Sequence, residues 1–370
     1  MTRRVVHVVV AGELGGAERM VAALASRPRE TGAEHSIAVV SPNGNLARIF
    51  REARIRVHDR GAVPEGPVSF LRQTLGPREV GWLSAVLARE RAEIAHLHTF
   101  ASQVLGTRAA LRVGIPTLRT EHSTRAFADP TCWPFSRWSL ARAGASVAVS
   151  HHVRSVVAGR APWVGARLRV VPNGVDIAHF EPRPVPSTPG LHLALVGRLE
   201  PRKGVDLAIE AIARVPSARL DVIGEGRSRR SLERLVRHLR VGDRVRLRGF
   251  VEDPRAALEA CHAVLCTSRS EGLGLALLEG MATGRPVLGF RVGGVPEIVE
   301  DGRTGLLSPP GDVDGLVALL TDLALAPGKL AALGRAARDH VAERFTVEAM
   351  CAGYARAYAD LGAGVTMPGT

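Results

Sequence analysis

The stretch AVLCTSRSEGLGLALLEGMATGRPVLG, residues 263–289, decides the fold. A short apolar run leads into a polar loop that contains glycines, then into an apolar helical segment, and finally into a second apolar run. Continuous apolar strands separated by helices are typical of a parallel sheet that is covered on both faces. The stretch therefore predicts a strand–loop–helix–strand unit of an α/β domain.

The same alternation recurs on both sides of this stretch. The strands predicted in the first half are 5–10, 36–40, 55–57, 94–98, 117–120, 146–150 and 168–171. Those predicted in the second half are 193–196, 219–223, 245–249, 263–267, 286–289 and 305–307. The chain is therefore predicted to form two Rossmann-like, doubly wound α/β domains that face each other across a cleft.

Domain boundaries follow from a proline-rich segment at 181–192, because proline at that density breaks helices and interrupts strand pairing. We expect an N-terminal, acceptor-binding domain at 1–180 and a C-terminal, nucleotide-sugar-binding domain at 193–350. Residues 351–370 are predicted to form a helix that packs back on the N-terminal domain, and a tail. Ligands should bind at the carboxyl ends of the strands.

Composition limits the class of protein. The 370 residues suffice for two domains. The four cysteines show no paired metal or CxxC spacing, which favours a reduced, cytoplasmic enzyme. The opening MTRRVVHVVV is predicted to be a strand rather than a signal segment. No stretch has the roughly 18 apolar residues of a membrane span.

The net charge is uneven along the chain. Residues 1–186 have a net charge of +11, from 25 Arg or Lys against 14 Asp or Glu, whereas residues 187–370 have a net charge of +2, from 24 against 22. A basic surface suits nucleic acid, anionic lipid or an anionic substrate. A general arginine bias explains the excess equally well, because only Lys203 and Lys329 are lysines.

Two loops at predicted strand ends suit a diphosphate. Gly15 and Gly16 open a helix after the first strand, where bare amides can approach a phosphate, although a tight turn alone would also need them. Arg198 and Lys203 follow a strand of the second half within one loop. A guanidinium and an ammonium so placed can neutralise the charge of a departing diphosphate, unless they only form a solvated turn.

Two glutamates frame the loop and helix of the opening stretch. Glu271 lies in the loop, and the helix is expected to begin near Gly274 or Leu275 and to carry Glu279 in its early turns. Gly272 and Gly274 leave amides bare at a helix N-terminus, which favours anions. Carboxylates suit hydroxyl-rich ligands because each accepts several O–H hydrogen bonds. A glutamate that only complements the helix dipole is the alternative, chiefly for Glu279.

Two histidines lie at neighbouring strand ends, His98 in AHLHTF and His122 in RTEHST. Either could hydrogen-bond a sugar or an acceptor in the cleft. A histidine in this position can also be purely structural.

These motifs, with others between them, resemble the family 4 glycosyltransferases of the GT-B fold, from about residue 5 to residue 350. The motifs that carry the resemblance are GGAER, HLHTF, RTEHS, AVS at 148–150, VPNGVD, GRLEPRKG, GEG, GFVED, SRSEGLGLALLEGMATG, GGVPEIV and DGRTGLL. The resemblance implies a retaining hexosyltransferase that moves a sugar from a UDP- or GDP-linked donor to a hydroxyl acceptor, in polysaccharide or lipid-linked glycan synthesis. It implies no cofactor and no metal.

The resemblance also assigns roles to positions of this sequence. Glu271 matches a residue that holds the donor sugar, Glu279 one that holds the ribose, and Arg198 and Lys203 match residues that stabilise the leaving diphosphate. His122 matches the family's active-site histidine. Gly16 matches the glycine whose amide faces the diphosphate, with Gly15 beside it. The remaining donor-site positions are Gly272, Leu273, Gly274 and Leu275, and, for the base, Gly224, Glu225, Gly226, Phe250 and Val251. On the acceptor side we place His98, Glu121 and His122.

Retention of configuration is expected to proceed by front-face attack, in which the leaving phosphate helps to deprotonate the acceptor. Glu271 then orients the sugar and is not a nucleophile. The string Asp312-Val313-Asp314 resembles a metal-binding DxD, but its place before GLVALL indicates a helix N-cap or first-turn acid instead.

The acceptor side carries weaker signals. Residues 61–79, rich in glycine and proline, are predicted to contain a mobile loop. Trp133 and Trp138 lie in an apolar and basic segment that could touch an anionic membrane, placing the enzyme on the inner face of the plasma membrane, although ordinary helix packing explains them as well.

Three alternatives stay open beside the leading interpretation. The acceptor could be a soluble small molecule, such as a natural product or aminoglycoside precursor. A nucleotide-sugar 2-epimerase shares two α/β domains but has no reason to carry the GRLEPRKG motif and both glutamates. A nucleic-acid-binding protein is disfavoured because aromatic residues make up only 4% of the chain and no stacking platform is evident.

Overall fold

The computed structural model describes residues 2–12, 14–41, 44–63, 74–326 and 328–362, which form two compact units. Unit 1 is built from residues 1–173 and 347–370, and unit 2 from residues 174–346. The strands, in chain order, are β1 (Arg3–Val10), β2 (Ala33–Ser41), β3 (Arg56–Ala62), β4 (Ile94–Leu97), β5 (Thr117–Glu121), β6 (Ala145–Ala148), β7 (Leu168–Val170), β8 (Leu191–Val196), β9 (Ala218–Ile223), β10 (Val245–Gly249), β11 (Ala263–Cys266), β12 (Val287–Phe290) and β13 (Gly305–Ser308).

Helices connect these strands. In chain order they are α1 (Gly16–Ala25), α2 (Pro28–Thr31), α3 (Asn45–Glu52), α4 (Pro77–Arg89), α5 (Phe100–Val113), α6 (Arg125–Ala128), α7 (Trp133–Ala141), α8 (His151–Arg160), α9 (Val205–Arg214), α10 (Arg229–His238), α11 (Arg255–Glu259), α12 (Leu275–Ala282), α13 (Val295–Ile298), α14 (Val313–Leu325), α15 (Gly328–Arg344) and α16 (Val347–Gly362). Short 3₁₀ segments lie at Pro162–Arg167 and Pro201–Lys203.

Each unit contains one parallel sheet. Among the described residues, unit 1 has seven strands in the order β3-β2-β1-β4-β5-β6-β7, and unit 2 has six in the order β10-β9-β8-β11-β12-β13. The strand order reverses beside β1 in unit 1 and beside β8 in unit 2, which is the topological switch of a doubly wound fold. The predicted fold class is therefore confirmed, and the loops that follow the strands meet at one edge of each sheet.

The predicted strands coincide with the observed ones, mostly to within one to three residues at each end. The largest difference is β3, predicted at 55–57 and observed at Arg56–Ala62. This strand lies at the edge of its sheet and its side chains are mostly exposed or half-buried, so it lacks the apolar run that marks an interior strand. The predicted loop at 61–79 lies partly outside the described residues, because 64–73 are not described.

The division between the units differs from the prediction. The chain divides near residues 173 and 346, and the proline-rich segment belongs to unit 2 rather than forming a linker. Its backbone is held there because Arg285 donates hydrogen bonds to the carbonyls of Arg183 and Pro184 at 2.8 and 3.1 Å. Sequence composition showed the absence of helix at 181–192 but not these side-chain bonds.

The last helix, α16, packs in unit 1. Its buried side chains Tyr354 and Tyr358 lie in one apolar cluster with Val5 of β1, Leu118 of β5 and Met20 of α1. The predicted segment 351–370 falls on this helix, which begins at Val347, and residues 363–370 are not described. Within the described residues no single helix is long and apolar enough to cross a membrane; one sharply bent pair, α14 with α15, passes that test only when its members are taken together.

Candidate functional site

An ion pair joins two strand-end loops of unit 2. The Nζ atom of Lys203 donates a hydrogen bond to Oε2 of Glu271 at 2.6 Å, and the Ser268 hydroxyl donates to the same oxygen at 3.2 Å. The Lys203 and Glu271 side chains are only 16% and 11% exposed. Two residues that the sequence placed in separate motifs thus meet at the carboxyl edge of the sheet.

The charge of Glu271 depends on this pairing. Burial alone would raise the pKa of its carboxyl, but the nearby charge and hydrogen bond of Lys203, with smaller contributions from Arg202 and Ser268, hold the pKa below the ordinary value of 4.5. The carboxylate therefore stays ionised at neutral pH. Burial raises the pKa of the Cys266 thiol to about 11, and the negative charge of Glu271 contributes to this increase.

A second set of contacts ties the same two loops together. Arg269 pairs with both carboxylate oxygens of Asp206, at 2.9 and 2.6 Å, and its amide donates to the Arg202 carbonyl at 2.7 Å. Gly204 has a φ of +61°, and a Cβ there would lie 1.9 Å from the carbonyl oxygen of Thr267. Only glycine allows the lysine loop to lie this close to the glutamate loop.

Helix α12 begins where the sequence predicted. Gly274 precedes it with a φ of +97°, and Leu275 is its first residue. Glu279 lies on this helix and is 5% exposed. Leu273 is buried as well. The backbone of Glu271 is fixed from the other side, since its carbonyl accepts a hydrogen bond from the Gly294 amide at 3.1 Å.

The loops that follow β8, β9 and β10 lie side by side. The amide of Leu199 donates to the Glu225 carbonyl at 2.7 Å, and the amide of Gly224 donates to the Gly249 carbonyl at 2.7 Å. Cβ atoms at Gly224 and Gly226 would lie 2.0 and 2.6 Å from backbone oxygens of residues 197 and 199. These glycines are therefore required by the close approach of the loops.

Glu225, Phe250 and Val251 complete this part of the edge. The Glu225 carboxylate accepts a hydrogen bond from Arg229 at 2.6 Å. Phe250 and Val251 are 50% and 37% exposed, directly after β10. Exposed apolar side chains beside backbone polar groups are what a planar base would pack against.

Arg198 does not join the buried pair. Its side chain is 53% exposed, and its Nε lies 3.7 Å from Glu200, which also pairs with Arg202 at 3.1 Å. The guanidinium is free to reorient toward a ligand, since this ion pair is long and solvated.

In unit 1 the predicted glycine loop precedes α1. The amide of Gly15 already donates to Oε2 of Glu18 at 2.9 Å, and Gly16 is the first residue of the helix. The buried Glu18 thus uses the amide of Gly15, which leaves the predicted phosphate contact to Gly16.

His98 and His122 are brought together at the ends of β4 and β5. Their ring centroids are 5.7 Å apart. Nδ1 of His98 and Nε2 of His122 are buried and have no hydrogen-bond partner among the described residues. Burial lowers the pKa of His122 to about 4 and holds the pKa of His98 well below 6.5, with a smaller effect of His96 on His98, so both rings are neutral at pH 7.

Glu121 lies in a buried network. Its Oε1 accepts a hydrogen bond from Arg119 at 2.8 Å and its Oε2 accepts one from Gln103 at 3.1 Å. Arg119 is fully buried and also donates to Gln103, to the Ser139 hydroxyl and to a backbone carbonyl. Both carboxylate oxygens are thus occupied within unit 1, and Glu121 holds the end of β5 in place.

His98 also belongs to a group of buried histidines and tyrosines whose other members were not singled out from the sequence. Ring nitrogens of His7, His96 and His98 lie within 4.8 Å of one another. Nδ1 and Nε2 of His96 lie 2.9 Å from the Tyr358 hydroxyl and 2.8 Å from the Thr120 hydroxyl. The signal in the sequence was a histidine inside an otherwise apolar strand, as in VVHVVV, since a buried parallel strand has no use for a polar side chain without a partner.

The two aspartates of the DxD string lie at the start of α14. Asp312 caps this helix, its Oδ1 accepting a hydrogen bond from the Gly315 amide at 2.9 Å, and Asp314 pairs with Arg214 at 2.6 Å. The capping role expected for this string is confirmed.

Comparison with solved structures identifies the fold. HepE of Anabaena, solved with UDP and glucose, has a TM-score of 0.83 over 97% of this chain and 100% of its own, at 22% identity. Sucrose-phosphate synthase of Thermosynechococcus elongatus has a TM-score of 0.83 over 98% and 99%, at 23% identity. These likenesses show the GT-B fold.

The family follows from the sequence. Residues 14–179 match the family described as Glycosyltransferase Family 4, and residues 183–340 match Glycosyl transferases group 1. D-inositol 3-phosphate glycosyltransferase of Segniliparus rotundus is 31% identical over 334 residues, which cover 80% of this chain and 74% of that relative. This chain belongs to the family 4 glycosyltransferases, and the same matches support the predicted hexosyltransferase class.

Other relatives differ in the share of their length that this chain covers. A phosphatidylinositol N-acetylglucosaminyltransferase component of Arabidopsis thaliana is 32% identical over 258 residues, and the match covers 66% of this chain but 58% of that protein. N-acetyl-α-D-glucosaminyl L-malate synthase of Bacillus anthracis is 27% identical, with 75% and 77% covered. By their names, these relatives transfer sugars to lipid-bound and to soluble acceptors.

Proposed function

We propose that this protein is a retaining glycosyltransferase that moves a hexose from a nucleoside-diphosphate sugar to a hydroxyl acceptor. The observation that carries the proposal is the Lys203–Glu271 pair, which is largely buried at the carboxyl edge of the unit 2 sheet. An ammonium held here can bind a diphosphate, while the adjacent carboxylate can accept hydrogen bonds from sugar hydroxyls. A nucleotide sugar presents both groups next to each other.

The base, the ribose and the diphosphate of the donor can be placed one after another along this edge of the sheet. The base packs on Phe250 and Val251 beside the backbone of Gly224, Glu225 and Gly226. The ribose hydroxyls reach Glu279. The amides of Gly272, Leu273, Gly274 and Leu275 approach the diphosphate, which Arg198 and Lys203 neutralise as it leaves.

Front-face attack accounts for retention in this proposal. Glu271 is committed to Lys203 and Ser268, so it orients the sugar and does not act as the nucleophile. The oxygen of the leaving phosphate takes the proton of the acceptor hydroxyl as the new glycosidic bond forms. His122 hydrogen-bonds the sugar, and His98 lies on the acceptor side. Glu121 supports these two side chains through the end of β5 without touching the acceptor. No metal takes part in this scheme.

The acceptor is proposed to be a glycan or lipid-linked hydroxyl at the inner face of the plasma membrane, with the enzyme in the cytoplasm. Support comes from an aromatic and basic patch of unit 1, in which Trp163 and Phe135 are 42% and 38% exposed. Arg137 stacks on Trp163, and Arg142 stacks on Trp138, at 5.3 and 4.9 Å from the ring centroids. Such pairs suit an anionic lipid surface. If the enzyme is equally active in the absence of lipid vesicles, a soluble acceptor is favoured instead.

Nucleotide binding tests the donor site. Thermal-shift and calorimetric titrations with UDP, GDP, ADP and dTDP should identify one nucleotide that binds the wild type and binds Lys203→Ala and Glu279→Ala less well. If no nucleotide binds at millimolar concentration, with or without magnesium, the assignment of these residues to a donor site is wrong. The anomeric configuration of the product, read by NMR, then tests retention.

A further inference from the structure

A chain of hydrogen-bonded side chains leads from α2 to the strand end where His98 lies. Nδ1 of His7 and Nε2 of His98 are 2.9 Å apart, and Nε2 of His7 lies 2.9 Å from Nδ1 of His35. Nε2 of His35 lies 2.7 Å from the Thr31 hydroxyl. We call Thr31, His35, His7 and His98 the histidine chain.

Thr31 sets the direction of this chain. Its single hydroxyl proton has three acceptors within reach, which are the Arg27 carbonyl at 3.0 Å, the Pro28 carbonyl at 3.3 Å and Nε2 of His35 at 2.7 Å. When that proton points to one of the two carbonyls, which can only accept, Nε2–H of His35 donates to the Thr31 oxygen and Nδ1 of His35 is left as an acceptor. This is the direction that the proposal adopts. The same argument, applied along neutral rings, gives His7 and then His98 a proton on Nε2.

Nδ1 of His98 is the free end of this chain. It carries a lone pair, it is buried, and it has no partner among the described residues. A buried acceptor without a donor is unfavourable, so this nitrogen requires an O–H or N–H from a ligand or water. Nε2 of His122, which is also buried and unpartnered, lies on the neighbouring ring.

We propose that Thr31, His35 and His7 are positioning residues that fix the tautomer of His98, so that its Nδ1 accepts a hydrogen bond from a hydroxyl of the bound sugar or acceptor. The proposal rests on the function proposed above and deepens it. All four residues of the histidine chain belong to unit 1.

The electrostatics of the chain favour orientation over proton transfer. Burial, with smaller contributions from neighbouring histidines, holds the pKa of His7 and of His98 well below 6.5, and burial lowers the pKa of His35 to about 4. A ring that resists protonation accepts a hydrogen bond but does not take the proton. His98 would thus hold a hydroxyl in place while the leaving phosphate acts as the base.

A metal ion is the competing use of the same nitrogens, since His7, His96 and His98 could ligate one. Against this, both ring nitrogens of His96 already have hydroxyl partners. The ring nitrogens of His7 are likewise hydrogen-bonded, so among these three residues only Nδ1 of His98 has no partner in the described part of the chain.

NMR spectroscopy of the ligand-free protein tests the chain independently of any activity. Long-range ¹H–¹⁵N correlation of ¹⁵N-histidine protein separates protonated from unprotonated ring nitrogens, and single His→Gln variants assign His7, His35 and His98. The expected result is one tautomer, protonated on Nε2, for all three. A proton on Nδ1 of His98 in the wild type would overturn the proposal, as would a metal ion at one equivalent per chain whose removal changes these signals.

Thr31→Val and Thr31→Ser form a matched pair that tests the direction of the chain. The valine variant loses the oxygen that fixes His35, so His98 should show mixed tautomers, whereas the serine variant should keep the wild-type pattern. If His98 is unchanged in Thr31→Val, Thr31 does not position it. Should the valine variant fail to fold, the wild-type spectrum alone decides.

Turnover of the nucleotide sugar whose nucleotide binds then tests the contact with substrate. Loss of one oriented hydrogen bond should lower kcat of Thr31→Val by about fivefold, with nucleotide affinity unchanged within about twofold and with recovery in Thr31→Ser. Equal kcat in the two variants would mean that His98 meets no reacting hydroxyl. If the wild type binds no nucleotide, the proposed function is wrong, but the NMR spectra still test the histidine chain.

Discussion

The carboxyl edges of the two sheets differ in charge. In unit 2 the edge carries the ion pair of Lys203 and Glu271, with arginines around it. In unit 1 the corresponding edge carries neutral histidines whose pKa values are lowered by burial. A diphosphate needs compensating charge, whereas a hydroxyl needs oriented lone pairs and donors. The difference teaches that the same topology can serve either half of a transfer reaction by the choice of side chains at strand ends.

Replacing Glu121 by alanine should have the largest effect, since it leaves the fully buried Arg119 without its carboxylate. We expect a loss of about 3–5 kcal/mol in the free energy of unfolding of unit 1. Glu52→Ala is the matched control, because it breaks an ion pair with Arg48 whose side chains are 56% and 53% exposed, and it should cost under about 1 kcal/mol.

Tryptophan fluorescence in urea measures this loss for unit 1 alone. The four tryptophans of the chain are Trp82, Trp133, Trp138 and Trp163, and all belong to that unit. Equal midpoints for the two variants would contradict a buried, structural ion pair at the end of β5.

Acidification should separate the two edges. A histidine whose pKa falls from 6.5 in the unfolded chain to about 4 in the folded one stabilises the fold above pH 6.5, and this contribution is lost as the pH falls toward 4. Glu271, with a pKa below 4.5, loses its contribution only below that pH. Unit 1 should therefore weaken first, by about 2–3 kcal/mol for His35 as the pH approaches 4.

The pH dependence of the urea midpoint, read by tryptophan fluorescence, checks this order. His35→Gln should flatten the curve between pH 6.5 and 4.5. An unchanged slope in that variant would mean that His35 titrates alike in the folded and unfolded chain.

Lys203→Ala should weaken binding of the preferred nucleoside diphosphate by about 10- to 100-fold, because one charged hydrogen bond contributes about 1.5–3 kcal/mol. Lys329→Ala is the control, since it removes the second lysine from an exposed position of α15. Calorimetry measures both affinities. A similar loss in both variants would indicate a general charge effect rather than a site at Glu271.

Phe250→Ala should have the smallest effect, a loss of nucleotide affinity of about three- to fivefold from reduced packing on the base. Leu325→Ala offers a control, because Leu325 is an exposed apolar side chain on α14. Unaltered affinity in Phe250→Ala, measured with the same nucleotide, would move the base away from the end of β10.

Much of the fold was predictable because interior parallel strands have a simple signature. Runs such as VVV at 8–10 and AVLC at 263–266 are continuous and apolar, and glycines mark the loops that follow them. The edge strand β3 and the proline-rich segment were misjudged, since the first lacks an apolar run and the second is held by Arg285, which lies about 100 residues away along the chain.

The candidate site was predictable by motif but not by contact. Glu271 and Lys203 were both singled out, yet their pairing across 68 positions follows only from adjacent strand ends. Glu121 was placed on the acceptor side together with His98 and His122, but the sequence did not show that Arg119 and Gln103 occupy its carboxylate. His7 and His35 were missed because a histidine in a strand shows its role only when its neighbours in the sheet are known.

Hydrogen–deuterium exchange with a saturating nucleoside diphosphate tests the central claim most directly. The account predicts slower exchange of amides at 197–204, 224–226 and 269–275, with little change at the outer strand β3 of unit 1. Saturated binding without protection of the loops that carry Lys203 and Glu271 would contradict the assignment of the charged edge to the donor.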